Sequence, residues 1–198
     1  GGGYSYLSNP QYNAYESMFE LYKGVADIVF AGDSYTARGH FDELVDTKAS
    51  ILNRGIGSDT AEGLYNRIDE ILSHKPSKLF ILIGANDIGK GVPIEDTLHF
   101  YRLTLEKVKA ELPNCEIYMQ SVFPTSQNVL INNNEKIKAL NQALKQLALE
   151  QMCTWVDIHS KFFNEDGNVI EEYISGDGVH LTGKGYQTWI STIKGYIS

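Results

Sequence analysis

Three residues have the types and placement for nucleophilic acyl chemistry: Ser34 in Gly32-Asp33-Ser34, and Asp177 and His180 in "GDGVHLTGKGY" from Gly176 to Tyr186. A serine hydroxyl is a weak nucleophile at neutral pH until an imidazole takes its proton. The imidazole in turn needs a carboxylate to fix its tautomer and stabilise its charged form. The tetrahedral intermediate also requires donors aimed at the charge that develops on it. The Ser34 backbone N–H, an N–H of the loop "NRGIGSDT" (Asn53 to Thr60) and the side-chain amide of Asn86 in "GANDIG" (Gly84 to Gly89) are the candidates. Each has a plainer reading. Ser34 would cap a helix after a strand, Asn86 and Asp87 would make a turn, and Asp177 would form an Asx-turn ahead of a helix cap at Thr182. What favours chemistry is that the complementary parts follow successive apolar segments.

Those segments are what must position the site. "DIVFAG" from Asp27, "SILNRG" from Ser50, "KLFILIG" from Lys78, "EIYMQSVF" from Glu116 and "TWVDIH" from Thr154 are near-continuous apolar runs, the pattern of strands covered on both faces. Helical periodicity lies between them over Thr60 to Ser73, Ile94 to Leu112, Asn133 to Met152 and about Gly183 to Tyr196. This alternation predicts right-handed crossovers and an α/β fold, a three-layer α/β/α sandwich on five parallel strands. Ligands of such sheets bind outside the carboxyl ends of the strands, where every candidate residue stands. Residues 1–24 read as an extension whose amphipathic segment, Pro10 to Tyr22, packs on the domain formed by 25–198. The opening Gly1-Gly2-Gly3 reads as a linker or scar.

In this order the blocks resemble the SGNH or GDSL hydrolases: "GDSYT" for the nucleophile, "NRGIGSDT" for the glycine block, "GANDIG" for G-x-N-D and "DGVHLTGKGY" for the terminal D-x-x-H. The resemblance implies a flavodoxin-like fold, Ser34 as nucleophile, Asp177 and His180 completing the triad, and Asn86 as side-chain oxyanion donor. The backbone donor of the second block is usually a glycine. Here the matching position is Ser58, with Gly57 as second choice, and only the backbone N–H is required. The motif is not the G-x-S-x-G elbow, since Thr36 replaces the final glycine.

The resemblance implies a serine esterase that removes a short acyl group, acetyl in the first instance, from a carbohydrate or other small polar molecule. The alternatives are an O-acetyltransferase with the same acyl-enzyme, and a lysophospholipase or thioesterase for which Val122, Phe123, Val129 and Leu130 would line an apolar groove. A binding module without activity is disfavoured by the intact Ser34, Asn86, Asp177 and His180. No cofactor is implied, and no third ligand at a recognisable spacing supports a metal site. Asp96 and His99 also satisfy D-x-x-H, but as an i, i+3 pair on a predicted helix face they carry no chemistry. His159 reads as structural, and His40 and His74 as surface residues. Asp33 and Asp59 read as loop caps.

A net charge of −8 and a pI near 5.1 exclude a nucleic-acid partner, because phosphate binding needs a basic face. No apolar run reaches the roughly 20 residues of a membrane span, and the N-terminus lacks a basic and apolar leader. A soluble protein is expected, cytoplasmic or exported. Cys115 and Cys153 precede neighbouring strands and read as buried free thiols, with a disulfide as the alternative.

Overall fold

In the computed structural model, which describes residues 3–197, the apolar segments form strands β1 (Ile28–Gly32), β2 (Ile51–Gly55), β3 (Lys78–Leu82), β4 (Glu116–Gln120) and β5 (Thr154–Val156). Of the opening glycines, Gly1 and Gly2 lie outside the described residues. All neighbouring strands are parallel, in the order β2-β1-β3-β4-β5. The strand order reverses between β1 and β3, and in a doubly wound sheet this switch point opens the crevice at the strand carboxyl ends. Ser34 follows β1 and Asn86 follows β3, so the sheet itself brings these two segments together.

The helices are α1 (Tyr12–Phe19), α2 (Ser34–Ala37), α3 (Phe41–Leu44), α4 (Ala61–Asn66), α5 (Ile68–Leu72), α6 (Ala85–Gly89), α7 (Ile94–Glu111), α8 (Asn134–Glu150) and α9 (Gly183–Ile193). Alternate strand residues serve the two faces. Val29, Ala31, Leu79, Ile81 and Met119 pack with α4, α5, α7 and α8, while Ile28, Phe30, Phe80 and Tyr118 pack with Tyr35, Phe41 and α9. The three-layer sandwich follows directly. On the second face Phe30 stacks on Phe41 at 3.9 Å between ring centroids, and the buried Trp189 donates its indole N–H to Gln120 Oε1 at 2.7 Å.

The helix expected over Thr60 to Ser73 is broken. Arg67, at φ −118° and ψ 12°, separates α4 from α5. Its guanidinium turns inward to Asp59 Oδ2 (2.8 Å), Arg54 O (2.8 Å) and Gly32 O (3.0 Å), and a continuous helix would carry it elsewhere. The N-terminal helix is shorter than its amphipathic segment. It packs Tyr12 and Phe19 against Ile56 in the loop after β2.

His74 does not lie on the surface. It is wholly buried, with Nδ1 2.6 Å from Gly24 O and Nε2 against Glu70 and Arg54. Burial is tolerated because each polar atom of this cluster has a partner. Cys115 and Cys153 are free, but half-buried rather than buried. No helix among the described residues is long and apolar enough to cross a membrane.

Candidate active site

Ser34 is the first residue of α2, capped by Asp33, whose Oδ1 accepts from the Tyr35 N–H at 3.0 Å. Its hydroxyl lies 2.8 Å from His180 Nε2, across 146 positions of sequence. His180 Nδ1 lies 2.6 Å from Asp177 Oδ2. A proton on Nδ1 satisfies that carboxylate and leaves Nε2 as an acceptor for the serine O–H, the tautomer that general-base chemistry requires.

Asp177 and His180 sit in a tight hairpin. It is closed by the bridge between Ile174 and Leu181 and by the Ser175 N–H donating to His180 O at 2.7 Å. Gly178 takes φ +77°, a left-handed conformation that costs a glycine least, and a Cβ there would lie 2.0 Å from Val129 Cγ1. Asp177 Oδ1 accepts from the Ser175 hydroxyl (2.7 Å) and from the Val179 and His180 N–H groups (2.8 and 2.9 Å). Partial desolvation alone would raise this carboxyl. The bonds from the His180 ring, the two amides and Ser175 outweigh it and hold the carboxyl far below the ordinary range.

Tyr35, which no sequence motif singles out, ties the hairpin to the serine segment. Its hydroxyl donates to Val179 O at 2.9 Å, and the Tyr186 hydroxyl donates to Tyr35 O at 2.6 Å. The only signal in the sequence is its position next to Ser34.

The candidate oxyanion donors stand in the turns that follow β1, β2 and β3. Gly84, at φ +136°, reverses the chain after β3 into α6, which carries Asn86. Asn86 Nδ2 donates one hydrogen to Asp59 O at 3.0 Å and has a second available. Ser58 takes φ 64° in the turn closed by the Asp59 N–H donating to Ile56 O. The Ser58 N–H has no hydrogen bond to another described residue, and the Ser34 N–H opens a helix and so has no acceptor within it. Gly57 lies one residue earlier, with its carbonyl held by the Asn9 side chain.

A regularity emerges that no single block displays. Each candidate donor has a buried aspartate as its chain neighbour: Asp33 beside Ser34, Asp59 beside Ser58, Asp87 beside Asn86. Asp59 pairs with Arg67, and Asp87 accepts from the Ala61 N–H and the Thr97 hydroxyl. Asp33 Oδ2 has no partner among the described residues. Burial raises all three carboxyls, Asp33 to about 7 and Asp87 to about 6, with Arg67 opposing the effect at Asp59. Asp33 caps α2, as read from the sequence, whereas the cap of α4 is Thr60, and Asp59 orients the loop by accepting from the Thr60 N–H and Arg67.

Other candidates fall elsewhere. Val122 and Phe123 are buried in the core and line no groove, whereas Leu130 is exposed and Val129 half-buried. The β4–α8 segment turns inward there because the Val122 N–H and carbonyl bond the Asn141 side chain. Asp96 and His99 lie within α7, His40 is exposed, and His159 follows β5 with its N–H on Ser121 Oγ. Among the described residues no group of three or more His, Cys, Asp or Glu is arranged to hold a metal ion.

A doubly wound sheet with a serine, a histidine and an aspartate in hydrogen-bonded sequence at its switch point belongs to the serine hydrolase class. The chain is a member of the GDSL-like Lipase/Acylhydrolase family, whose model matches residues 30–188. It is 29% identical to a protein from Streptococcus pneumonia provisionally described as a platelet activating factor, with a TM-score of 0.88 over 98% of this chain and 94% of that one. An acetylxylan esterase, Axe2 from Geobacillus stearothermophilus, shares the fold at 18% identity and a TM-score of 0.74, over 88% of this chain and 95% of that one.

Among curated relatives, N-acylneuraminate cytidylyltransferase of Streptococcus agalactiae is 23% identical over 90% of this chain, which spans only 42% of that protein's length. The isoamyl acetate-hydrolyzing esterase of Saccharomyces cerevisiae is 25% identical over 71% of this chain and 65% of its own.

Proposed function

We propose that this acylhydrolase is a serine esterase that removes a short acyl group, acetyl in the first instance, from a hydroxyl of a carbohydrate or similar polar molecule. The observation that carries the reading is the run of contacts from Ser34 Oγ to His180 Nε2 (2.8 Å) and from His180 Nδ1 to Asp177 Oδ2 (2.6 Å). Ser34 Oγ attacks the ester carbonyl while His180 Nε2 takes its proton. The oxyanion is met by the N–H groups of Ser34 and Ser58 and the free amide hydrogen of Asn86. The imidazolium returns the proton to the departing alcohol, leaving an acyl-enzyme that water hydrolyses by the same route.

The short acyl group is supported by the names of two related proteins, an acetylxylan esterase and an isoamyl acetate-hydrolyzing esterase. The carbohydrate is supported by xylan in the first name and by N-acylneuraminate, a sugar acid, in that of the streptococcal relative. The burial of Val122 and Phe123 removes two residues that a long-chain groove would have used.

The test is a panel of nitrophenyl esters of increasing chain length beside acetylated sugars, with fluorophosphonate labelling of Ser34. Turnover falling steeply beyond the shortest esters, and acetate released from the sugars, is the expected outcome. A rate that rises with chain length overturns the short-acyl assignment. Absence of both label and turnover overturns the esterase.

A further inference from the structure

The peptide group between Gly57 and Ser58 is held from outside the family's blocks. Its carbonyl accepts from Asn9 Nδ2 at 2.8 Å, and Asn9 is buried to 5% exposure. The Asn9 side chain is itself oriented, because its Oδ1 accepts from the Gln11 N–H at 3.0 Å and so directs Nδ2 to the loop. No described peptide bond is cis, so this group's N–H, that of Ser58, points away from Asn9. That N–H has no acceptor among the described residues.

We infer that Asn9 is a positioning residue for the oxyanion hole, fixing the Gly57–Ser58 peptide plane by its oxygen so that its hydrogen faces the reacting ester. The inference rests on the reading of Ser58 as a backbone donor. Two physical effects act together. Ser58 occupies a left-handed conformation that a non-glycine residue adopts at a cost, so the turn needs an external hold against a peptide flip. A hydrogen bond to the carbonyl also polarises the amide and strengthens its N–H as a donor. The extension is also anchored by contacts independent of Asn9. The Tyr12 hydroxyl donates to Gly63 O at 2.6 Å, Tyr12 and Phe19 enclose Ile56, and Tyr4 lies under the Lys90 ammonium at 4.4 Å.

The test compares Asn9→Ala, Asn9→Asp and Tyr12→Phe with the parent, using a nitrophenyl acetate assay and thermal unfolding, with Asn86→Ala alongside. Both Asn9 variants are expected to lower kcat about 10- to 100-fold with KM within about threefold, short of the full loss of one donor. Asn9→Asp keeps the acceptor for the Gln11 N–H and replaces the donor with a carboxylate oxygen that repels Gly57 O. Tyr12→Phe removes an anchor of the same segment and is expected to lower Tm while kcat stays within about twofold. A crystal structure of Asn9→Ala should show the Gly57–Ser58 peptide rotated. Unchanged kcat in both Asn9 variants overturns the inference, as does a loss no greater than that of Tyr12→Phe at equal Tm. If Asn86→Ala is slow while the Asn9 variants are not, the inference alone fails. If neither slows the reaction, the oxyanion assignment fails with it.

Discussion

Asp177 and His180 stand three residues apart in one hairpin and close a 2.6 Å contact between Oδ2 and Nδ1. The other oxygen of Asp177 is committed to three donors from its own turn. The carboxylate is therefore set by local backbone, and the imidazole is aimed by the carboxylate. Ser34 arrives from the far end of the sequence, brought within 2.8 Å because β1 and the hairpin both end at the carboxyl edge of the sheet.

Asp177→Asn should keep the hairpin, since the three donors to Oδ1 need only an amide oxygen. An amide nitrogen facing Nδ1 would instead favour the tautomer with its proton on Nε2, which cannot accept from Ser34. We expect kcat/KM to fall between about tenfold and 10⁴-fold, the upper figure being that of the serine-protease triad. Wild-type kcat/KM in Asp177→Asn beside an inactive His180→Ala would identify a Ser-His dyad.

Ser34→Ala should abolish turnover and fluorophosphonate labelling with little effect on folding. The Ser34 hydroxyl has its contact with His180 and caps nothing, because the cap of α2 is Asp33. Tm is expected to move by less than about 2 °C, as for substitutions away from core and caps. Label remaining on the variant would move the nucleophile to another serine.

The fold was legible because each strand is an apolar run and each candidate residue follows one. Ser34, Asn86, Asp177 and His180 were all visible in this way. What escaped depends on partners distant in sequence. Arg67 breaks a helix because its guanidinium has buried acceptors on three other segments, which periodicity does not report. His74 reads as a surface residue until Glu70, Arg54 and Gly24 are seen to surround it. Asn9 lies 48 positions from the carbonyl it holds and belongs to no motif.

Asn86→Ala should lower kcat about 10²- to 10³-fold with a smaller effect on KM, the usual loss for one oxyanion donor. Because Asn86 also holds Asp59 O, Tm is measured in parallel. Ser58→Gly provides the converse. It keeps the backbone N–H and relieves the left-handed strain, so kcat should stay within about threefold of the parent. A large loss in Ser58→Gly would assign the function to the Ser58 hydroxyl. A change in Asn86→Ala confined to KM would make Asn86 a substrate contact.

Asp33→Asn tests the buried carboxyls through stability. Burial raises Asp33 to about 7, reinforced by Asp59 and Asp87 and opposed by the Tyr35 N–H bond. In the unfolded chain the same carboxyl titrates near 3.9. Between about pH 4 and pH 7 the folded form therefore binds the proton that the unfolded form has released, and linkage requires stability to fall as pH rises through that window, then to level off. The effect is at most a few kcal/mol, at about 1.4 kcal/mol per pH unit across the window. The asparagine of this variant does not titrate, while its amide oxygen still accepts from the Tyr35 N–H and its nitrogen occupies the place of the unpartnered Oδ2. Asp59 and Asp87 shift in the same direction but are common to both proteins, so the difference in Tm isolates Asp33. That difference, variant minus parent, should grow more positive from pH 4.5 to pH 7.5 whatever its value at the acid end. A difference constant across the range would show that Asp33 ionises in the folded protein as it does in the unfolded chain, and is charged at neutral pH.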